Sequence, residues 1–113
     1  MNSEQLIAKH CVPCEGGVPA LSAEQVRELL QAIPEWELSA DGKRIARRWK
    51  MKNFQAGLDL FARVGQLAED ENHHPDLHLT GYRHVSVELS THAIGGLSEN
   101  DFIVAAKIDR LTP

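Results

Sequence analysis

Asp76-Leu-His-Leu-Thr80 and His84-Val-Ser-Val-Glu-Leu89, joined by Gly81-Tyr-Arg83, decide how this chain folds. Apolar residues stand at every second position: Leu77 and Leu79, then Val85, Val87 and Leu89. That period sends side chains alternately to the two faces of an extended chain, so one face is apolar and the other carries Asp76, His78, Thr80, His84, Ser86 and Glu88. Thr80-Gly81 marks the turn, and the two runs read as an antiparallel strand pair.

The apolar face of such a pair needs a cover, and the flanking sequence supplies it. From Asn53 to about Glu71, residues Phe54, Leu58, Phe61, Val64, Leu67 and Ala68 fall on one stripe at helical spacing, the longest helix of the chain. Gly57 and Gly65 lower its helix propensity, and their expected use is close packing against the sheet. The helix ends before Pro75. Upstream, Trp36-Glu-Leu38 and Ile45 to Met51 read as two more strands around a two-residue hairpin at Asp41-Gly42. Ser22 with Gln25 forms a capping box, Leu21 can staple to Val26, and Val26, Leu29, Leu30 and Ile33 make the apolar face of a first helix that stops at Pro34. Ser98 and Asp101 repeat the capping signature, with a Leu97–Phe102 staple, before a last helix to about Arg110. The order is helix, two strands, helix, two strands, helix. It predicts an α+β fold: a four-stranded antiparallel sheet with three helices packed on one face.

With 113 residues, 42% of them hydrophobic and 25% charged, the chain has the material for one core. Residues 1–20 read as a flexible tail rich in Pro and Gly, and residues 21–113 as the single domain. A formal charge of −4 argues against direct binding to a nucleic-acid backbone. No apolar run reaches membrane-spanning length and the first residues lack a signal-peptide layout, so a cytoplasmic location is expected. Cys11 and Cys14 cannot build a disulfide framework. With His10 they resemble half of a zinc site, but no second pair is present to close one. Free thiols on a tail are the simpler reading. The strand Val85–Leu89 offers unpaired backbone groups if it lies at a sheet edge, which makes self-association an expectation.

The chemistry concentrates in Glu69-Asp-Glu-Asn-His73-His74-Pro75, followed by Tyr82, His92 and Asp101. Histidine is the side chain whose ordinary pKa lies nearest neutrality, so a convergent set can give and take protons near pH 7. A metal site is the weaker reading. His74 and His78 have the spacing of one helical turn, yet Pro75 and the alternation after it put them in extended chain. His10, His78 and His84 fit ordinary surface or hydrogen-bonded roles, and the capping box alone accounts for Asp101. The adjacent pair His73-His74 has no evident packing purpose. By strand phase, His92 should stand on the polar side of the sheet.

The run Glu69-x-x-x-His73-His74-Pro75 with Tyr82, His92 and Asp101 resembles the signature of the pterin-4a-carbinolamine dehydratases. Pro34-Glu-Trp36, Lys52-Asn53-Phe54 and Ser90-Thr91-His92 followed by Gly96-Leu97-Ser98 extend the resemblance from about Leu21 to Arg110. The resemblance implies a lyase that removes water from a 4a-hydroxytetrahydropterin, the product of an aromatic amino acid hydroxylase such as phenylalanine hydroxylase. It implies no cofactor and no metal. It implies His73, His74 and His92 as the catalytic set, with Glu69, Trp36 and Asp101 as substrate-binding candidates. It also implies a homodimer or homotetramer. Animal members act as dimerisation partners of a homeodomain transcription factor, so a non-enzymatic partner or regulatory protein is the alternative. Asn72 and Asn100 stand where animal members carry an acidic residue and an arginine. If those residues touch substrate elsewhere, preference for the pterin side chain differs here.

Overall fold

A computed structural model describes residues 1–13 and 19–112. The elements are α1 (Ser3–Ile7), α2 (Ala23–Leu30), β1 (Glu37–Leu38), β2 (Ile45–Lys50), α3 (Phe54–Glu71), β3 (Asp76–Thr80), β4 (His84–Leu89), a 3₁₀ turn (His92–Ile94) and α4 (Glu99–Asp109). The strands form one antiparallel sheet in the order β1-β2-β4-β3. The α+β reading holds, with one helix more than the sequence predicts.

The central strand explains the layers. Val85, Val87 and Leu89 of β4 are buried, while Ser86 and Glu88 between them are half-exposed. They join Ile45 of β2, Leu60 and Val64 of α3, and Phe102, Ile103, Val104 and Ile108 of α4 in one core. The polar residues Arg48, Lys50, His78 and His84 are left on the open face. Among the described residues no helix is long and apolar enough to cross a membrane.

Several sequence expectations need correction. β4 is not an edge strand, because it pairs with β2 on one side and β3 on the other. The five-residue edge is β3, where Leu77 is 37% exposed. The first hairpin is not a two-residue turn. Leu38 pairs with Ile45, so residues 39–44 form the loop, with Ser39 N–H donating to Arg44 C=O at 2.9 Å and Gly42 at φ +72°. The stripe expected on α3 is rotated. Gly57, Leu60, Val64, Ala68 and Glu71 face inward, while Phe54 and Leu58 are exposed. The sheet selects that face. A methyl group on Gly57 would stand 3.3 Å from Leu79 and 3.4 Å from Val85, so the helix lies on the sheet at its glycine. Gly65 has nothing within 4 Å of such a methyl, and the close packing expected there is absent.

The segment read as a tail contains α1. Asn2 and Gln5 cap it reciprocally, each bond 2.8 Å, and Leu6 is fully buried against α4. A helix of five residues with one buried side chain is too short to show periodicity, which is why pattern reading passes over it. Cys14 lies outside the described residues.

Candidate active site

The histidine pair owes its position to the end of α3. Asn72 closes the helix in the left-handed region (φ 51°, ψ 42°), and its N–H and that of His73 return to the last-turn carbonyls, the latter to Ala68 C=O at 3.1 Å. Asparagine tolerates this conformation better than branched residues do. The chain therefore reverses at Asn72 and delivers His73 and His74 beside the helix rather than along it. Asn72 is thus the capping residue of α3.

His92 arrives from the other direction. After β4 the chain makes a closed loop, with Thr91 N–H donating to Gly96 C=O at 2.8 Å and Gly95 at φ +67°. His92 opens the 3₁₀ turn inside that loop. It has left the strand, so the strand phase no longer governs it, and it lies at the end of the sheet rather than on its polar face. His73, His74 and His92 all line one cleft of about 580 Å³, together with Asp70 to Asn72, Ser90, Thr91 and Asn100.

Asp101 sits behind His73 and is wholly buried. Its two oxygens have separate duties. Oδ2 accepts from Ser98 N–H at 3.0 Å and from Thr91 Oγ1 at 2.8 Å, which caps α4 and ties the loop to it. Oδ1 meets His73 Nε2 at 2.6 Å. As a carboxylate Asp101 only accepts, so His73 carries a hydrogen on Nε2, and its neutral form has the lone pair on Nδ1. The capping role expected from sequence is present, and the same group also orients an imidazole. Asp101 itself is not among the residues that line the cleft.

Glu69 lies one turn before His73 and bonds His74 Nε2 at 2.5 Å, in an exposed pair whose side chains are 72% and 56% accessible. It is not part of the cleft's lining and touches it only through His74. Trp36 does not reach the cleft. It is 4% exposed, packs edge-on to Trp49 at 6.3 Å and donates from Nε1 to Asp109 Oδ1 at 2.9 Å. The strand β1 it precedes lies at the sheet edge away from β3, so its indole goes into the core. Tyr82 is exposed on the β3–β4 turn at φ 56°, also outside the cleft. His78 and His84 are exposed on the open sheet face.

Sequence reasoning missed the fourth side of the site. Cys11, Val12 and Pro13 line the cleft as well. Glu71, on the last turn of α3, is buried and holds Lys107 Nζ, the Cys11 N–H at 2.9 Å and His10 Nδ1 at 3.3 Å. Burial pushes the Glu71 carboxyl up, but the bonds from Lys107 and Cys11, the Lys107 charge and His10 together hold it below the usual carboxylate range. Burial, then the Glu71 charge, pushes the Cys11 thiol up to about 12. The signal for this side was present only as an acid at Glu71 on the inward helical phase. Among the described residues, no group of three or more His, Cys, Asp or Glu is arranged to hold a metal ion.

The family model described as Pterin 4 alpha carbinolamine dehydratase matches residues 19–111. The chain is 49% identical over 109 residues to pterin-4-alpha-carbinolamine dehydratase 2, mitochondrial, of Arabidopsis thaliana, an alignment covering 94% of this chain and 58% of that protein. It is 46% identical over 111 residues to a putative pterin-4-alpha-carbinolamine dehydratase of Methylococcus capsulatus, covering 98% of this chain and 96% of that one. A crystal structure from Brucella melitensis, described as a transcriptional coactivator/pterin dehydratase, superposes with a TM-score of 0.77 at 29% identity, over 83% of this chain and 99% of its own. A pterin dehydratase-like RuBisCO assembly factor shares the fold alone, with a TM-score of 0.57 at 18% identity. Matched along nearly its whole described domain, the chain belongs to the pterin 4 alpha carbinolamine dehydratase family.

Proposed function

We propose that this chain dehydrates a 4a-hydroxytetrahydropterin to the quinonoid dihydropterin, by histidine acid–base catalysis. The substrate is the product of an aromatic amino acid hydroxylase, so the chain serves cofactor recycling. The fold cannot carry this reading, since a protein of another stated role shares it. The observation that carries it is the 2.6 Å bond between His73 Nε2 and the buried Asp101, in a cleft also lined by His74 and His92.

The reaction requires two proton transfers. The N5–H proton leaves, its bonding electrons form the C4a=N5 double bond, and the C4a–O bond breaks. Hydroxide is a poor leaving group, so the departing oxygen takes a proton and exits as water. In our assignment His73 Nδ1 is the base for N5–H. The Asp101 carboxylate then stabilises the imidazolium, as the buried aspartate does in a catalytic triad. His92 is the acid for the hydroxyl, and His74, braced by Glu69, holds the leaving oxygen. Each transfer by a well-placed group is worth about 10²–10⁴-fold.

Stopped-flow dehydration of freshly generated 4a-hydroxytetrahydropterin tests the assignment. His73→Ala and His92→Ala should each lower kcat/KM by about 10²–10⁴-fold. Full activity in the double variant rejects it. His92 is exposed, so its replacement should leave thermal unfolding nearly unchanged.

We also propose that the chain self-associates, now through β3 rather than β4. That edge presents unpaired backbone groups and the exposed Leu77. Light scattering that shows only monomer at micromolar concentration rejects this.

A further inference from the structure

Acid–base chemistry leaves one wall of the cleft without a role. Cys11, Val12 and Pro13 form it, and they are fastened more firmly than a loose arm requires. Val12 N–H donates to Asn100 Oδ1 at 3.1 Å, and Asn100 Nδ2 donates to Val12 C=O at 2.6 Å. A carboxamide that pairs with both polar groups of one residue acts like a neighbouring strand and fixes that residue's backbone in place and direction. Asn100 is itself 5% exposed, in the first turn of α4. One residue earlier, Cys11 N–H donates to Glu71, which Lys107 anchors.

These fastenings share their foundations with the imidazoles. Asn100 adjoins Asp101, and Glu71 precedes His73 by two positions. The arm is therefore registered against the same two helix ends that set His73. Its surface toward solvent is apolar: Val12 is 66% exposed at a cleft whose other walls are largely polar. The Cys11 thiol is protonated at neutral pH and offers contact rather than nucleophilic chemistry.

In the proposed substrate, N5 and C4a must meet the imidazoles. C6 is bonded to N5 and carries the ring's variable substituent. The substituent thus enters the same cleft, one bond from the proton transfer, and the arm, which takes no part in the chemistry, offers its exposed apolar Val12 to receive it. We propose that the arm Cys11–Pro13, positioned by the Asn100 carboxamide, selects the substituent at C6 of the pterin substrate. This inference rests on the dehydratase reading.

The test uses the full chain with Val12→Trp, which narrows the mouth, and Asn100→Asp. The latter keeps the acceptor for Val12 N–H and sets two oxygens against each other at Val12 C=O. Dehydration is measured with 4a-hydroxytetrahydropterins bearing methyl or dihydroxypropyl at C6. Binding of the 7,8-dihydropterins with the same two substituents is followed by fluorescence. The ratio of kcat/KM between the two substrates should move at least threefold in each variant, more in KM than in kcat, with both limbs of the kcat pH profile retained. The binding ratio should move in the same direction. Normal wild-type turnover with a smaller shift in Val12→Trp overturns the arm assignment alone. If wild type turns over neither substrate yet the binding ratio moves at least threefold, the arm assignment stands and the dehydratase reading falls. Val12 is exposed, so that variant decides the matter even if Asn100→Asp does not fold.

Discussion

Asp101→Asn isolates what the buried carboxylate does for His73, because it keeps the shape and changes only the charge and the donor–acceptor pattern. Three donors converge on Asp101: Ser98 N–H, Thr91 Oγ1 and His73 Nε2. The Ser98 N–H has no alternative to donating, so the asparagine oxygen must face it. The amide NH₂ is then turned toward His73 Nε2, where an N–H cannot meet another N–H. The imidazole must move its hydrogen to Nδ1 and accept at Nε2. Three hydrogen bonds are formed before and after, so stability falls only by lost charge assistance, about 1 kcal/mol per bond. The neutral amide is cheaper to bury at a fully inaccessible position, which offsets part of that loss. The net cost is about 1–2 kcal/mol. That is small against the roughly 5–15 kcal/mol of a typical domain, so the variant stays folded at 25 °C.

Activity should respond far more strongly. Nδ1 now carries a hydrogen and cannot accept the N5 proton, and no anion remains to stabilise an imidazolium. The same substitution behind a triad histidine costs about 10⁴-fold through the wrong tautomer. A loss of about 10²–10⁴-fold in kcat is expected here. Long-range ¹⁵N–¹H NMR of the labelled imidazoles reports the tautomer, stopped-flow reports kcat, and calorimetry reports stability. A variant that retains more than half of wild-type kcat, or that keeps the His73 hydrogen on Nε2, refutes the reasoning.

Gly65→Ala should raise stability by about 0.5–1 kcal/mol, since the new methyl meets open space in mid-helix, while Gly57→Ala should lower it by crowding Leu79 and Val85; urea unfolding of the two variants checks the sign of each. Glu71→Gln should cost about 3 kcal/mol at pH 7 by leaving the half-buried Lys107 without its counter-charge. Because the folded-state pKa of Glu71 is depressed, its contribution is present above the ordinary carboxyl pKa near 4.3 and is lost as pH falls through the folded value. The gap in melting temperature between wild type and variant should therefore narrow from pH 7 to pH 3, and a constant gap counts against it. Asn72→Val should cost about 1–2 kcal/mol, because a branched side chain is forced into the left-handed region, whereas Asn72→Gly should be nearly neutral by the same unfolding assay.

What the sequence made legible was local. The capping residues Ser22 and Ser98 and the alternation of β4 are settled by neighbours within a few positions, and each element formed where they indicated. The histidine pair was legible for the same reason: His73, His74 and the Pro75 that ends the helical option are adjacent. What escaped was set by distant partners. The face of α3 was misread because phenylalanine is the louder signal, yet the sheet decides the face by approaching Gly57. Trp36 resembled a ligand wall only until Asp109 supplied its indole N–H with a partner 73 residues away. The arm was unreadable because its fastenings to Glu71 and Asn100 span 60 and 88 residues.

The residues of the candidate site share one property that explains why some were legible and others were not. Asn72 and His73 follow the end of α3, Thr91 and His92 follow the end of β4, and Asn100 and Asp101 begin α4. Chain ends of regular elements are where backbone groups lack internal partners, so side chains there already serve as caps. Asp101 carries both duties at small cost: one oxygen completes the cap that the helix needs, and the other is left to meet His73 Nε2, the side chain we propose as the base. It follows that Asp101→Ala is no clean probe of catalysis. It leaves Ser98 N–H, Thr91 Oγ1 and His73 Nε2 without their buried acceptor, a cost of about 3–5 kcal/mol that confounds any loss of rate with a loosened α4. Only the isosteric change separates the two duties of the carboxylate, and a fall in kcat that exceeds the fall in stability is the signature that they are separable.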